Sequence, residues 1–290
     1  MTEKLQLLTP HREYKSRMFT LIFNDRERLL KLYNAVSGKH YEDSSLLTIN
    51  TLENAIYLSM KNDVSFIIDH RLSLYEHQST CNPNMPLRFL MYLADVYSGM
   101  VRDANIYGKK LLPIPAPKFI VFYNGKEERP DCEVLHLSDA YITKDEEISL
   151  DLKVDVLNIN YGHNKVLMES CKDLQDYTLY VQRVRENALT MSIEDAVEDA
   201  INSCIRDHIL HDFLTLNRAE AKKVSIYEYN EEEHMRMERK DAFEEGFQDG
   251  FQKATMKERA NTEHQRQRAE RAEAELEKLK AEVEMLKKHN

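Results

Sequence analysis

KNDVSFIIDHRLSLYEHQST, residues 61–80, sets two apolar runs, 64–68 and 72–75, on either side of the polar link Asp69-His70-Arg71. Two such runs joined by a tight polar link predict a β-hairpin. A turn centred on Asp69-His70 pairs position 68 with 71, 66 with 73 and 63 with 76. Asp63 and Glu76 then become direct cross-strand neighbours, with Cβ atoms about 5 Å apart. Gln78 lies two residues beyond Glu76 and projects from the same face. A slip of one residue would send Glu76 to the other face.

Burying a carboxylate is costly unless it is paired, hydrogen-bonded or bound to a metal. Like charges placed opposite each other also destabilise a sheet, and one of the two would tend to take up a proton. A divalent cation removes both penalties. Mg²⁺ is commonly held by one or two carboxylates and keeps several waters, which leaves room for a substrate phosphate. The outline is metal-assisted phosphodiester hydrolysis. A purely structural alternative has Asp63 capping the strand entrance and Glu76 pairing with Arg71, Arg88 or a nearby histidine. Spacing alone leaves both open.

The rest of the 290-residue chain places this hairpin in a mixed context. Residues 1–125 carry a net charge of +3 and the remaining 165 residues −13, so the overall −10 belongs to the C-terminal part. An acidic total argues against a protein that coats DNA nonspecifically, since counterion release rewards clustered Lys and Arg. It leaves room for an enzyme with a local basic surface. The four cysteines, at 81, 132, 171 and 204, form no CxxC pair, and none of the eleven histidines falls in an HExxH. Reduced thiols are expected and no zinc site is. No apolar run approaches a membrane span, and the first residues lack a signal-peptide core, so a cytoplasmic protein with no membrane partner is expected.

Residues 12–36 have helical spacing, interrupted or turned near Asn24-Asp25, and 46–60 read as a strand or strand pair. Pro86 suits the first turn of a helix over 87–101. A strand over 118–123, a turn at Asn124-Gly125 and a second strand around 133–137 follow, Asn-Gly being a strong hairpin signal. A further strand covers 149–160, and from Asn164 the chain reads as helical. Strands framed by helices indicate α/β or α+β. Ala269, Ala272, Leu276, Leu279, Val283 and Leu286 alternate steps of three and four among charged residues, a heptad seam about three repeats long. Gly246 and Gly250 ahead of it suggest a hinge.

The segments YKSRMFTLIF, LYNAVSG, TLENAIYLSMKNDVSF, LYEHQSTCNPNMPLRFLMYLADVY, PAPKFIVFYNG and EEGFQDG resemble the PD-(D/E)XK nuclease superfamily. The similarity is greater to its Rpn branch, the transposase-like recombination-promoting nucleases of bacteria. It spans most of residues 12–250, and EHQSTCNPNMPLR is its most specific part. The resemblance implies an α/β fold with a restriction-endonuclease-like mixed β-sheet core flanked by helices. It implies Asp63 and Glu76 as metal-binding carboxylates and the backbone carbonyl of His77 as a further ligand to Mg²⁺ or Mn²⁺. It places Gln78 where most of the superfamily has lysine. Glutamine orients by hydrogen bonds but carries no charge, so another cation is needed, and Arg88 on the next helix is the candidate. Ser16 stands where related sequences tend to have Asp, and Glu13 lies one turn away.

The expectation is a nuclease-like core over 1–165, a helical region over 166–240, a hinge over 241–260 and a coiled coil over 261–290. The activity expected is a metal-dependent DNA endonuclease used in recombination or transposition-like events, oligomeric through its tail. A catalytically weak module that binds DNA or protein on the same fold is the alternative, and RNA as substrate is a third. Arg88 and Tyr92, four apart, share a helix face and could touch phosphate or fix the helix against the sheet. The His77 side chain is expected to be packed in the core.

Overall fold

A computed structural model describes residues 18–49, 64–143 and 147–288. Asp63, Ser16 and Glu13 lie outside them, as does most of the strand expected over 46–60. The chain divides after Asn230 into two compact units.

The first unit opens with α1 (Met18–Phe23) and α2 (Arg26–Ser37). Asp25 separates them because its carboxylate accepts from the Arg28 amide at 3.0 Å and so starts a new helix. Gly38 ends α2 in the left-handed conformation that suits glycine. The strands β1 (Thr48–Ile49), β2 (Val64–Ile68) and β3 (Arg71–Gln78) form an antiparallel meander. After α3 (Met85–Met100) come β4 (Ala116–Tyr123), β5 (Cys132–His136) and β6 (Lys153–Asn158). The six strands form one mixed sheet in the order β1-β2-β3-β4-β6-β5, with β3, β4 and β6 mutually parallel.

The β2–β3 register matches the hairpin reading over the described residues. Val64 faces Tyr75, Phe66 faces Ser73 and Ile68 faces Arg71. Asp69 and His70 form the turn with φ of 48° and 59°, the mirror-image geometry whose twist suits a two-residue hairpin. Neither is glycine, and a left-handed residue with a Cβ is strained. Asp69 also accepts from the Tyr41 hydroxyl at 2.9 Å. His70→Gly should therefore stabilise the protein by on the order of 1 kcal/mol, read as a higher urea midpoint at unchanged slope. An unmoved or lower midpoint would show that the turn carries no strain.

The Asn124-Gly125 expectation is corrected. No hairpin joins β4 to β5, because β6 lies between them and pairs parallel to β4. Neither residue has the positive φ that a tight hairpin turn requires. Asn124 instead spends its polar groups on long-range contacts, and Gly125 makes a close backbone approach.

Both faces of the sheet are covered. On one, Val64, Phe66, Ile68, Tyr75, Ile120 and Phe122 pack with α1 and α2. The same buried cluster includes α4 (Lys165–Ser170), α5 (Lys172–Asn187), α6 (Ile193–Arg206) and α7 (His211–Leu216). On the other, Leu72, Leu74, Phe119, Val121 and Val154 pack under α3. Burial on both sides explains why β2 and β3 read as nearly continuous apolar runs rather than alternating ones. The helices after residue 165 share this core, and the compact unit runs to Asn230.

A last helix, α8 (Arg218–Lys288), begins in the first unit and supplies the second. It passes through Gly246 and Gly250 unbroken, so the stretch 241–260 is helical. Two glycines weaken a helix by about 1 kcal/mol each without removing a backbone donor. Phe243, Phe247, Phe251 and Leu276 are exposed on it. Among the described residues no helix is long and apolar enough to cross a membrane, and all four cysteines are free thiols.

Candidate active site

The alternation of β3 sorts the residues of interest onto two faces. Glu76 and Gln78 share the α3 face, and His77 points the other way. All three are buried, Glu76 with 3%, His77 with 5% and Gln78 with 8% of its surface exposed. A buried carboxylate needs a counter-charge, and α3 delivers it. Asn84 precedes the helix, Pro86 lies in its first turn, and Arg88 closes that turn on the inner face.

Arg88 Nη2 stands 3.8 Å from Glu76 Oε2 and donates to the Tyr92 hydroxyl at 2.8 Å. Tyr92 is also hydrogen-bonded to Glu76. Burial first, and the Glu76 charge second, push the Tyr92 phenol up to about 12, so it remains protonated at neutral pH. The spacing of four between Arg88 and Tyr92 thus serves one cluster, in which a guanidinium is held by a phenol beside a carboxylate.

Gln78 joins this cluster through the orientation of its amide. One orientation directs the amide nitrogen at Met85 Sδ, 3.0 Å away. Rotated by half a turn, its oxygen accepts from Arg88 Nη1 at 2.9 Å and its nitrogen donates to the Thr80 carbonyl at 3.1 Å. A thioether is a weak acceptor, whereas the rotated amide satisfies both ends. It puts Arg88 against both Glu76 and Gln78, so the positive charge that the glutamine lacks comes from the neighbouring helix.

His77 is a packed side chain. Its Nε2 pairs with the Tyr177 hydroxyl of α5 at 2.8 Å, and its ring stacks on Phe19 at 5.2 Å between centroids. Beyond it, a polar network ties the ends of the parallel strands together. The Asn124 amide donates to the Gln78 carbonyl at 2.9 Å. Arg185 donates to the side-chain oxygen of Asn124 at 3.0 Å, to its carbonyl at 2.5 Å, and to Asn160 at 3.2 Å. Asn160 in turn holds the Gly125 carbonyl and the Asn158 side chain. Sequence reading missed Arg185 and Tyr177. They lie 61 and 100 residues from their partners, and neither falls in a local pattern.

Glu76 and Gln78 present oxygen donors on this face, and the Cys81 thiol nearby is kept protonated by burial, which raises its pKa. That chemistry suits a hard cation such as Mg²⁺ or Mn²⁺. Among the described residues no three Asp, Glu, His or Cys side chains converge as a ready-made ligand set. Asp63, expected from the sequence as the second carboxylate, lies outside the described residues. No family model, no curated protein and no solved structure matches the chain.

Proposed function

We propose that the chain is a Mg²⁺- or Mn²⁺-dependent DNA endonuclease of the PD-(D/E)XK type, akin to the recombination-promoting nucleases that its sequence resembles. The observation that carries this reading is the guanidinium of Arg88 beside both Glu76 and Gln78. It restores the positive charge lost where glutamine replaces lysine. The hairpin register supports it as well, because Val64 faces Tyr75 in the register from which the sequence reading pairs Asp63 with Glu76. A mixed sheet with helices on both faces agrees with a restriction-endonuclease-like core.

In this reading Glu76, Asp63 and the His77 carbonyl hold the cation. When bound, that ion polarises a phosphoryl oxygen and makes a bound water more acidic. Arg88 contacts the phosphate and opposes the charge that develops on it. Gln78 orients a water or a phosphate oxygen by hydrogen bonding. The phenol of Tyr92 holds Arg88 beside Glu76 until a substrate phosphate engages the guanidinium.

One observation favours the second reading, a DNA- or protein-binding module on the same fold. Arg88 already neutralises Glu76, which a purely structural pair would also do. Incubating purified protein with supercoiled plasmid and Mg²⁺ or Mn²⁺ separates the two. The nuclease produces nicked or linear DNA, and EDTA suppresses it. Intact plasmid with both ions, alongside retained DNA binding, would support the module. RNA offered in parallel reports which sugar is accepted.

Oligomerisation through a coiled coil over 261–290 belongs to the same proposal, because two sites acting on one duplex need two copies. Removing 261–290 should lower the oligomeric state measured by light scattering. An unchanged mass would place self-association elsewhere.

A further inference from the structure

We infer that Arg88 is an internal competitor for the cation. It serves as counter-ion to Glu76 before the metal binds, and gives up that carboxylate to the ion as it turns to the substrate phosphate. The inference rests on the nuclease reading and adds how loading of the site is regulated.

Glu76 is 3% exposed, so its charge needs a partner whether or not an ion is bound. Arg88 Nη2, at 3.8 Å, is a partner in place. A divalent ion at the same carboxylate would meet that guanidinium at close range. A lysine could relieve the repulsion by losing its proton, but arginine cannot. The conflict is therefore resolved only by movement.

The geometry allows movement. Arg88 is 27% exposed at the side chain, against 4% for Glu76, so the guanidinium has a solvent side while the carboxylate does not. It sits in the first turn of α3, where the helix N-terminus already favours an anion. Its other contacts, to Tyr92, Gln78 and Met85 Sδ, are neutral. A phosphate diester offers a full charge instead. Cation and DNA then favour each other's binding, since the cation releases Arg88 for the phosphate and the phosphate draws Arg88 away from Glu76.

The test is Mn²⁺ binding to the full-length protein without DNA, followed by titration calorimetry, with plasmid cleavage as a separate measurement. Arg88→Met removes the charge and keeps the side-chain length. It should bind Mn²⁺ about tenfold more tightly than wild type, within the usual range of coupling between sites. The same variant should need more DNA to reach half its maximal rate. Arg88→Lys, which can shed its proton, should bind Mn²⁺ between the wild-type and Arg88→Met levels, and Glu76→Gln should bind none at this site.

Equal or weaker Mn²⁺ binding by Arg88→Met overturns the inference. If the wild type still cuts DNA in a Glu76-dependent way, the nuclease reading survives that result. Wild-type protein that neither binds Mn²⁺ through Glu76 nor cleaves DNA overturns both. Thermal melting checks that Arg88→Met folds, and Arg88→Gln, tested identically, takes its place if it does not.

Discussion

Glu76→Gln should abolish metal-dependent cleavage of DNA, with a loss of at least about a thousandfold in rate, or about 4 kcal/mol of transition-state stabilisation. The substitution keeps the shape of the side chain and an oxygen for Tyr92, and removes the charge on which the proposed cation binding depends. Its effect on folding should be small. The carboxylate it replaces is buried, but the partner left behind is Arg88, whose side chain can turn its charge to water. A deleted charge is most damaging when it strands a buried opposite charge, and Arg88 is not fully buried. The variant should therefore melt within a few degrees of wild type while cutting no plasmid. Asp63→Asn should show the same loss of activity. Wild-type cleavage by either variant would sink the two-carboxylate proposal and leave Glu76, Arg88 and Tyr92 as a structural cluster.

Burial alone would not have singled out Glu76. Asp176 is nearly as buried, at 5%, yet its oxygens are taken up by the Lys172 ammonium at 2.9 Å and the Leu210 amide at 3.0 Å. It joins α5 to the start of α7 and asks for nothing further. Glu76 differs in where it sits. It lies near the C-terminal end of a strand flanked by a parallel neighbour, a place where α/β sheets commonly bind ligands. Gln78 and a charged helix turn share its face.

The hairpin was legible because its signals are local. Asp-His interrupts two apolar runs, and period-two alternation then assigns each side chain to a face. Pro86 and the Arg88–Tyr92 spacing marked the next helix in the same way. Asn124-Gly125 misled, because a dipeptide suited to a tight turn says nothing about which strand comes next in space. Here β6, from 30 residues further on, inserts beside β4 and displaces the local partner. Arg185 and Tyr177 were invisible for a related reason. Their roles follow from α5 packing across the sheet, and arginine or tyrosine on a helix face carries no record of its partner. The cation that accompanies Gln78 was readable as a need, and Arg88 as a candidate. The contact itself required the angle at which α3 crosses β3.

Gly125→Ala should cost about 3 kcal/mol or more of folding stability, with a matching loss of activity. A Cβ at this position would stand 2.2 Å from the Ser79 carbonyl oxygen and 2.5 Å from the Tyr123 hydroxyl. The first of these is backbone and cannot rotate away. Backbone conformation is not the obstacle, because Gly125 does not have a positive φ. The constraint is the closeness of two chains: the one leaving β4 presses on the one leaving β3. The Asn124 amide bonds the Gln78 carbonyl there, and the Gly125 carbonyl is held by Asn160. Accommodating a methyl group would push Ser79 outward and drag on Gln78 and Glu76, whose spacing from Arg88 the proposed chemistry starts from. Gly162→Ala is the control. It has open space around its Cβ and a φ of +91°, so it carries only the cost of an unfavourable backbone conformation. Urea unfolding of both variants, with plasmid cleavage measured on whatever remains folded, should rank Gly125→Ala well below Gly162→Ala in stability. A reversed order would mean that the ends of β3 and β4 tolerate separation, and that the position of Glu76 does not rely on this contact.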